Sequence, residues 1–499
     1  MDACLTVVGL VATPETLLVV LLASAFGLFV GAMPGLTATM AAALLVPITF
    51  YMDPVPAIAA IISCTAMAIT AGDIPGALLR IPGTPASAAY VEDSYGLTLN
   101  GQAGLAIGIS ITSATIGGLI GFVTLMLAAP LLARIALNFS SFEYFWLAML
   151  GLSCAALVSS GSPLKGLLSL LLGLFIAQVG LDPLMAQPRF TFGVTELTGG
   201  ISFIPVMIGM FALAEILRNG RTGRKAVQQA PIGNLFAGVY AELRRYRVNL
   251  LRGAGIGSVI GALPGIGGDL AAWITYSLAL RTSKTPEKFG TGHPEGLVEA
   301  GATNNAALSS AWIPALVFGI PGDAVTAIAV GVLFMKGMDP GPQLLTGNPQ
   351  NFYAVLIIFL LANLLLLPFG YVAARLSRFI FKVPRSYLNA AILLFCVVGS
   401  YAINNSLFGV WIMVVMGIVA FILEGRGFPI APIILGIVLG PLVESNFTTS
   451  MMIGQGSPVA FFERPIAAGL GALTLLIWGG YIFMHLKRLA RTARAEGQT

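Results

Sequence analysis

The sequence predicts an all-α polytopic membrane protein with about ten to twelve transmembrane helices, several of them broken or re-entrant, in two repeated halves. Three observations predict it. Only 9 % of the 499 residues are charged while 57 % are apolar and the mean hydropathy is +0.91, against roughly 25 % charged residues in soluble chains. The apolar residues fall into discrete runs, which at roughly 20 residues per crossing set a ceiling near fourteen spans before loops are subtracted. Two of those runs carry the same Pro-Gly interruption in the same context.

In chain order, runs able to span or nearly span lie at 17–33, 36–50, 55–71, 103–129, 142–160, 164–182 and 201–217. After a basic stretch come 254–280, 300–319, 321–335, 352–374, 387–404, 407–423, 428–443 and 466–485. Several are too short, or too rich in Gly and Pro, to cross as straight helices. The start of the chain lacks the basic region and small-residue cleavage site of a signal peptide, so the first run is expected to be a retained helix.

Basic residues give the expected orientation. The segment 218–252 holds Arg218, Arg221, Arg224, Lys225, Arg244, Arg245, Arg247 and Arg252; the turn after 374 holds Arg375, Arg378, Lys382 and Arg385; the tail holds Lys487, Arg488, Arg491 and Arg494. The positive-inside rule assigns all three to the cytoplasm, and they also suit anionic lipid. Four crossings between 387 and 485 fit this if 446–462 does not cross. The reading divides the chain into a first membrane half (1–217), a cytoplasmic basic loop (218–252), a second membrane half (253–486) and a cytoplasmic basic tail (487–499).

Composition also excludes classes of function. Two histidines, His293 and His485, cannot build a multi-histidine metal centre. Cys4, Cys64, Cys154 and Cys396 are far apart, and the last three lie in apolar runs that suit packing. No G-x-x-x-x-G-K-[ST] occurs, so the chain has no P-loop for ATP. The net charge of +5 reports topology and not a nucleic-acid partner.

The repeat is read from two matches in the same order. Gly31-Ala-Met-Pro-Gly-Leu36 returns as Gly261-Ala-Leu-Pro-Gly-Ile266, 230 residues on; Ile81-Pro82-Gly83-Thr84 returns as Ile320-Pro321-Gly322-Asp323, 239 residues on. An insertion around 281–294 absorbs the difference. Pro-Gly breaks a helix and frees backbone N–H and C=O groups. Lipid cannot satisfy them, so matched breaks in two halves point to a binding site lined by open backbone.

Around the first pair of breaks stand Gly35, Thr37, Thr39, Ser63, Thr65, Thr70, Asp73, Gly83, Thr84 and Ser87. Around the second stand Gly265, Gly267, Gly268, Asp269, Thr303, Asn304, Asn305, Ser309, Gly322, Asp323 and Thr326. Hydroxyls, amides and bare N–H groups with few cations suit a carboxylate held by helix N-termini. We take Gly35, Thr37, Thr39, Gly83, Thr84, Ser87, Gly265, Gly267, Gly268, Asn304, Asn305, Gly322 and Thr326 as substrate-site candidates. Asp73, Asp269, Asp323 and Thr303 are candidates for the coupling ion, either Na⁺ at the same breaks or a proton. Quieter roles compete: Ser and Thr bond back to their own turn, and Asp73 and Asp323 cap helix starts. Arg80 either meets a substrate carboxylate or snorkels outward, and Glu444, Ser445 and Asn446 read as loop and cap residues.

The run Gly31 to Thr39, the stretch Gly72-Asp73-Ile74-Pro75-Gly76 with Arg80 to Ala88, and the partners Pro264 to Gly268 and Glu299 to Ala306 resemble the large membrane subunit of the tripartite tricarboxylate transporters, the TctA-type permeases. The resemblance covers nearly the whole length. It implies a secondary importer of organic carboxylates such as citrate in the bacterial inner membrane, driven by an ion gradient and without a cofactor. It further implies a small TctB-like membrane subunit and a periplasmic TctC-like solute-binding protein as partners. Similarity to other duplicated carboxylate carriers implies inverted repeats and an elevator-type mobile domain. A passive channel is one alternative. An aspartyl intramembrane protease is another, but Ile266 stands where its G-x-G-D motif needs glycine, so no enzyme is expected.

Overall fold

The computed structural model describes residues 2–158, 162–182, 186–219, 232–341, 344, 347, 349–382 and 385–496. Arg221, Arg224 and Lys225 of the basic segment lie outside them. The protein is an all-α polytopic membrane protein: among the described residues six helices are long and apolar enough to cross a bilayer, and six shorter apolar helices accompany them.

Proline and glycine divide the first half. Helix α1 (Asp2–Val11) leads into α2 (Pro14–Ala32), which stops before Pro34; Gly35 takes φ 87°, and α3 (Ala38–Thr49) restarts with Thr37 as N-cap. A four-residue turn then reverses into α4 (Pro54–Ala71) and α5 (Asp73–Leu79). Helix α2 runs parallel to α4 at backbone contact. A Cβ on Gly27 would lie 2.1 Å from the Cys64 carbonyl oxygen, and one on Gly31 would lie 2.2 Å from that of Ala68. Small residues at this four-residue spacing let membrane helices touch along their backbones. Since α4 runs with α2, the α2–α3 pair forms a hairpin that enters and leaves on one face.

After α5 the chain turns at Arg80 (φ 57°) and folds back, with the Gly83 amide donating to the Gly72 carbonyl at 3.1 Å. Helix α6 (Val91–Leu99) then leads to the 34-residue α7 (Ala103–Ala136). Helices α8 (Ser141–Val158) and α9 (Pro163–Ala177), a two-stranded hairpin (Gly180–Leu181 with Pro188–Arg189), α10 (Phe203–Met207), a π-helical turn and α11 (Ala214–Asn219) complete this part.

The same geometry occurs again. Following α12 (Val239–Arg245), α13 (Arg247–Gly261) ends before Pro264, Gly265 and Gly267 take φ 78° and 70°, and α14 (Gly267–Thr282) turns back. Helix α13 lies parallel to α15 (Pro294–Ser310): Gly253, Gly257 and Gly261 face the carbonyls of Glu299, Thr303 and Ala307. Gly257 and Gly261 stand 230 residues after Gly27 and Gly31, and Thr303 and Ala307 stand 239 after Cys64 and Ala68. Helix α16 (Trp312–Phe318) ends at Gly319 (φ 69°), the position of Arg80, and α17 (Ala324–Met335) follows. The run 254–280, read as one apolar stretch, is therefore two arms of a hairpin. Arg252 ties them shut at the open end, bonding both the Glu299 carboxylate (2.6 and 2.7 Å) and the Thr282 hydroxyl (2.9 Å).

Two long helices thread between these units. Helix α7 runs parallel to α15, its Gly117 and Gly121 against Ala302 and Ala306, and antiparallel to α18 (Pro349–Ile380), where Gly118 meets Asn363 and Ile111 meets Gly370. Directions follow. Helices α7 and α15 start, and α18 ends, on the face holding residues 232–247, where Gly104 abuts Asn234 and Phe236 stacks on Tyr371. On the other face Phe139 stacks on Phe318, and Lys336 at the end of α17 donates to the carbonyls of Phe50 and Met52 at 2.6 Å. The α13–α14 hairpin thus opens on the basic face and the α2–α3 hairpin on the opposite one.

Helices α19 (Arg385–Asn404), α20 (Leu407–Gly425), α21 (Ala431–Ile453) and α22 (Pro465–Glu496) follow; α20 and α21 are among the six long and apolar enough to cross, α19 and α22 carry shorter apolar stretches, and 446–462 holds the end of α21 and a 3₁₀ turn at Pro458–Phe462. Reading Glu444, Ser445 and Asn446 as loop residues is corrected. They continue α21, and Glu444 pairs with Arg189 at 2.6 Å, a partner 255 residues away that local pattern cannot reveal.

Candidate binding site

Both hairpin tips and both fold-back loops meet at one cavity of about 70 Å³, with Pro85 and Asp269 exposed at its rim. It is lined by Thr37, Ala38 and Thr39 from the first tip and Thr84 and Pro85 from the first loop. Gly268 and Asp269 come from the second tip, Asp323, Ala324 and Val325 from the second loop, with Ile69, Asn304 and Leu308 closing the sides. A larger space of about 550 Å³ beneath the β-hairpin is walled mainly by apolar side chains of α9, α10, α17 and α21. It lacks the convergent backbone ends that give the smaller cavity its polarity.

Those ends arise locally. Helices α3, α14 and α17 begin at the cavity, and the first turn of a helix has N–H groups without intrahelical partners and a partial positive charge. Some of these donors are already taken. The Thr37 hydroxyl accepts from the Met40 amide at 3.2 Å. Asp323 and Thr326 form a reciprocal capping box, each amide bonded to the other side chain at 2.8 Å. Thr84 and Ser87, 239 residues earlier, form the same box at 3.1 Å in both directions. Asp269 accepts from the Ala86 amide at 3.1 Å, joining the two halves across the site. Gly267 is needed here: its φ is 70°, and a Cβ on it would lie 2.9 Å from that of Asp323.

The electrostatic balance follows from the lining. Two carboxylates, the exposed Asp269 and the half-buried Asp323, share this small space with hydroxyls and an amide, and among the described residues no Lys or Arg lines it. Two carboxylates at one small site with no basic side chain beside them favour a cation or a proton as counter-charge.

Seven of the predicted residues line the cavity: Thr37, Thr39, Thr84, Gly268, Asn304, Asp269 and Asp323. Gly35 and Gly265 shape the tips through positive φ. Gly83 and Gly322 let the loops lie against Gly72 and Ala311. Ser87 and Thr326 act through the caps. Three candidates point elsewhere. Thr303 donates to the carbonyls of Gly253 and Glu299, at the α13 contact. Asn305 bonds the Thr70 hydroxyl at 3.0 Å, its Oδ1 buried without a hydrogen-bond partner. Asp73 does not cap α5 but accepts from the Tyr90 hydroxyl at 2.8 Å. Thr65 and Thr70 bond back to carbonyls of their own helix. Arg80 pairs with Glu92 and is more than half exposed, away from the cavity.

Sequence reasoning missed Tyr90, a fully buried tyrosine three residues after Ser87 whose hydroxyl required a partner. It also missed Trp273, which donates from Nε1 to the Pro85 carbonyl at 3.1 Å and braces α14 against the first loop.

Comparison with known proteins fits this architecture. A protein of Agrobacterium vitis described as an uncharacterized 52.8 kDa protein in the TAR-I ttuC' 3' region is 36 % identical over 450 residues, covering 90 % of this chain and 89 % of that one. A second from the same organism, described as an uncharacterized protein in the TAR-II ttuC' 3' region, is 38 % identical over 220 residues, covering 44 % of this chain and 91 % of its own. No solved structure matches. The model of the tripartite tricarboxylate transporter TctA family matches residues 17–435, from the first hairpin into α21. The chain belongs to that family, a component of tripartite transporters.

Proposed function

We propose that the chain is the permease of a bacterial inner-membrane importer for organic carboxylates, coupled to Na⁺ or H⁺ and working with a small membrane subunit and a periplasmic solute-binding protein. The observation that carries this is the convergence of three helix N-termini, Thr37, Thr39, Thr84 and Asn304 with Asp269 and Asp323 on one cavity. N-termini and hydroxyls suit a carboxylate, and the two aspartates suit the cation that travels with it. A carboxylate of several carbons needs more room than about 70 Å³, so in this reading the site widens when substrate binds and faces one side of the membrane at a time.

The halves are read as a duplication of opposite orientation. Matching capping boxes, matching glycine contacts and hairpins opening on opposite faces support it. The positive-inside rule puts the basic face in the cytoplasm, and the two hairpins with their fold-back loops form the moving unit of an elevator-type cycle. Na⁺ and pH gradients imposed separately on proteoliposomes containing all three subunits test the scheme. Gradient-dependent uptake of labelled carboxylates is expected, with loss on Asn304→Ala and Thr84→Ala. Gradient-independent, non-saturating flux would refute coupled transport and indicate a channel.

A further inference from the structure

The two arms of the second hairpin present different surfaces. On α13 the exposed residues at four-residue spacing are Leu251, Gly255, Val259 and Leu263, none of them polar. On α14 they are Asp269, Trp273, Ser277 and Arg281, with Ile274 and Leu280 the aliphatic residues exposed beside them. Residues four apart are neighbours on one face of a helix, so each arm carries one continuous strip. The first suits acyl chains. The second does not.

Depth sharpens the contrast. Arg281 stands at the end of α14 beside Thr282, which Arg252 ties to the open end of the hairpin. Asp269 stands twelve positions earlier, about 18 Å along a helix, where the hydrocarbon core of a bilayer is about 30 Å thick. Asp269 is therefore near mid-membrane, exposed, and among the described residues no Lys or Arg lines the cavity beside it. Ionisable groups at that depth face protein or water and not lipid. From Asp269 the strip runs past the indole that bonds the exposed Pro85 and past Ser277, whose hydroxyl bonds back to Trp273, to the Arg281 guanidinium at the basic face.

The corresponding arm of the first half carries no such strip. Met40 to Pro47 of α3 are all buried, and a Cβ on Gly399 of α19 would lie 2.2 Å from the Pro47 ring.

We propose that the exposed strip of α14 lines a water-filled path from the cavity to the basic face, by which a carboxylate and its cation leave, and that the structure stands open to that face and closed to the other. This rests on the reading of the cavity as a transport site. Repeats of opposite orientation supply the logic: one arm is freed while its counterpart is packed, and exchanging the two arrangements moves access across the membrane. Asp269 is the inner end of the path. Arg281 is its mouth, a cation placed where an anion departs.

Single cysteines test it in the full-length chain, with Cys4, Cys64, Cys154 and Cys396 replaced by alanine and uptake confirmed, assembled with its partner subunits in vesicles of either orientation. Ser277→Cys and Gly255→Cys lie on the two arms ten positions after Gly267 and nine before Pro264, so their depths match. A thiol reacts as its thiolate, which forms in water and not in apolar surroundings, so a charged, membrane-impermeant methanethiosulfonate at the basic face should modify Ser277→Cys at least about tenfold faster than Gly255→Cys. That modification should also stop carboxylate uptake, and a reductant should restore it. Equal rates at the two positions overturn the path. So does a Ser277→Cys that reacts in the isolated chain but is protected in the assembled complex, because a partner subunit then covers the strip. Faster reaction from the opposite face overturns its direction. Gradient-driven uptake with equal labelling rates sinks the path alone, whereas labelling from the basic face without gradient-driven uptake of any carboxylate sinks the transport reading, so the two failures are distinct.

Discussion

Glycines on a single turn of α13 should respond to alanine with opposite signs. A Cβ on Gly257 would lie 2.6 Å from the Thr303 carbonyl oxygen and 3.0 Å from its Cα. Two helix backbones must open by about 1 Å to restore ordinary separation. Neither backbone can rotate away as a flexible side chain would, so Gly257→Ala should cost about 1–3 kcal/mol. Gly255, two residues earlier, has nothing within 4 Å of its would-be Cβ, and alanine there should stabilise by up to about 1 kcal/mol through helix propensity. Thermal unfolding of the detergent-solubilised protein, followed by a thiol-reactive dye on the buried cysteines, reads both. Because α13 carries the hairpin tip that presents Gly268 and Asp269, Gly257→Ala should also lower uptake beyond its effect on amount of folded protein. If the two variants shift the melting temperature in the same direction, the parallel α13–α15 backbone contact is wrong.

Further outcomes follow from the same geometry. Neighbours on α15 should separate cleanly: Asn304→Ala should abolish uptake while Thr303→Val, which loses only bonds to the Gly253 and Glu299 carbonyls, should keep most of it at about 1 kcal/mol in stability. Arg252→Ala leaves the fully buried Glu299 without its cation. It should destabilise by about 3–5 kcal/mol, and Glu299→Gln in the same chain should recover much of that in a melting assay. Asp323→Asn can still accept from the Thr326 amide, so its melting temperature should hold while cation-dependent uptake falls. Asp323→Ala should lose both, the cap alone being worth about 1 kcal/mol.

Local chemistry made the breaks legible. Proline at 34 and 264 removes an amide and glycine at 35 and 265 permits positive φ, so interruption and turn are dictated within a few residues. The 230- and 239-residue offsets could be counted directly, and they are the spacings at which the glycine contacts and capping boxes recur. Which face of a helical run meets the cavity was not legible. Thr303, Asn304 and Asn305 are adjacent and equally polar, but successive residues on a helix point about 100° apart, and only the placement of α13, α4 and α14 around α15 gives each its surroundings. Glu444 and Tyr90 escaped for a related reason, since each depends on a partner from a distant segment or on burial.

The sequence by itself determined that the chain lives in a membrane, where its helices must break, and which polar groups stand near the breaks, because hydropathy, proline and glycine act through covalent structure and nearest neighbours. Tertiary structure alone decided that four interruptions share one cavity, that the hairpins open on opposite faces, and that Asp73 stands behind the site while Asp269 and Asp323 stand in it. Those are matters of which helices approach closely enough for carbonyl to meet glycine, and that depends on packing between residues separated by hundreds of positions.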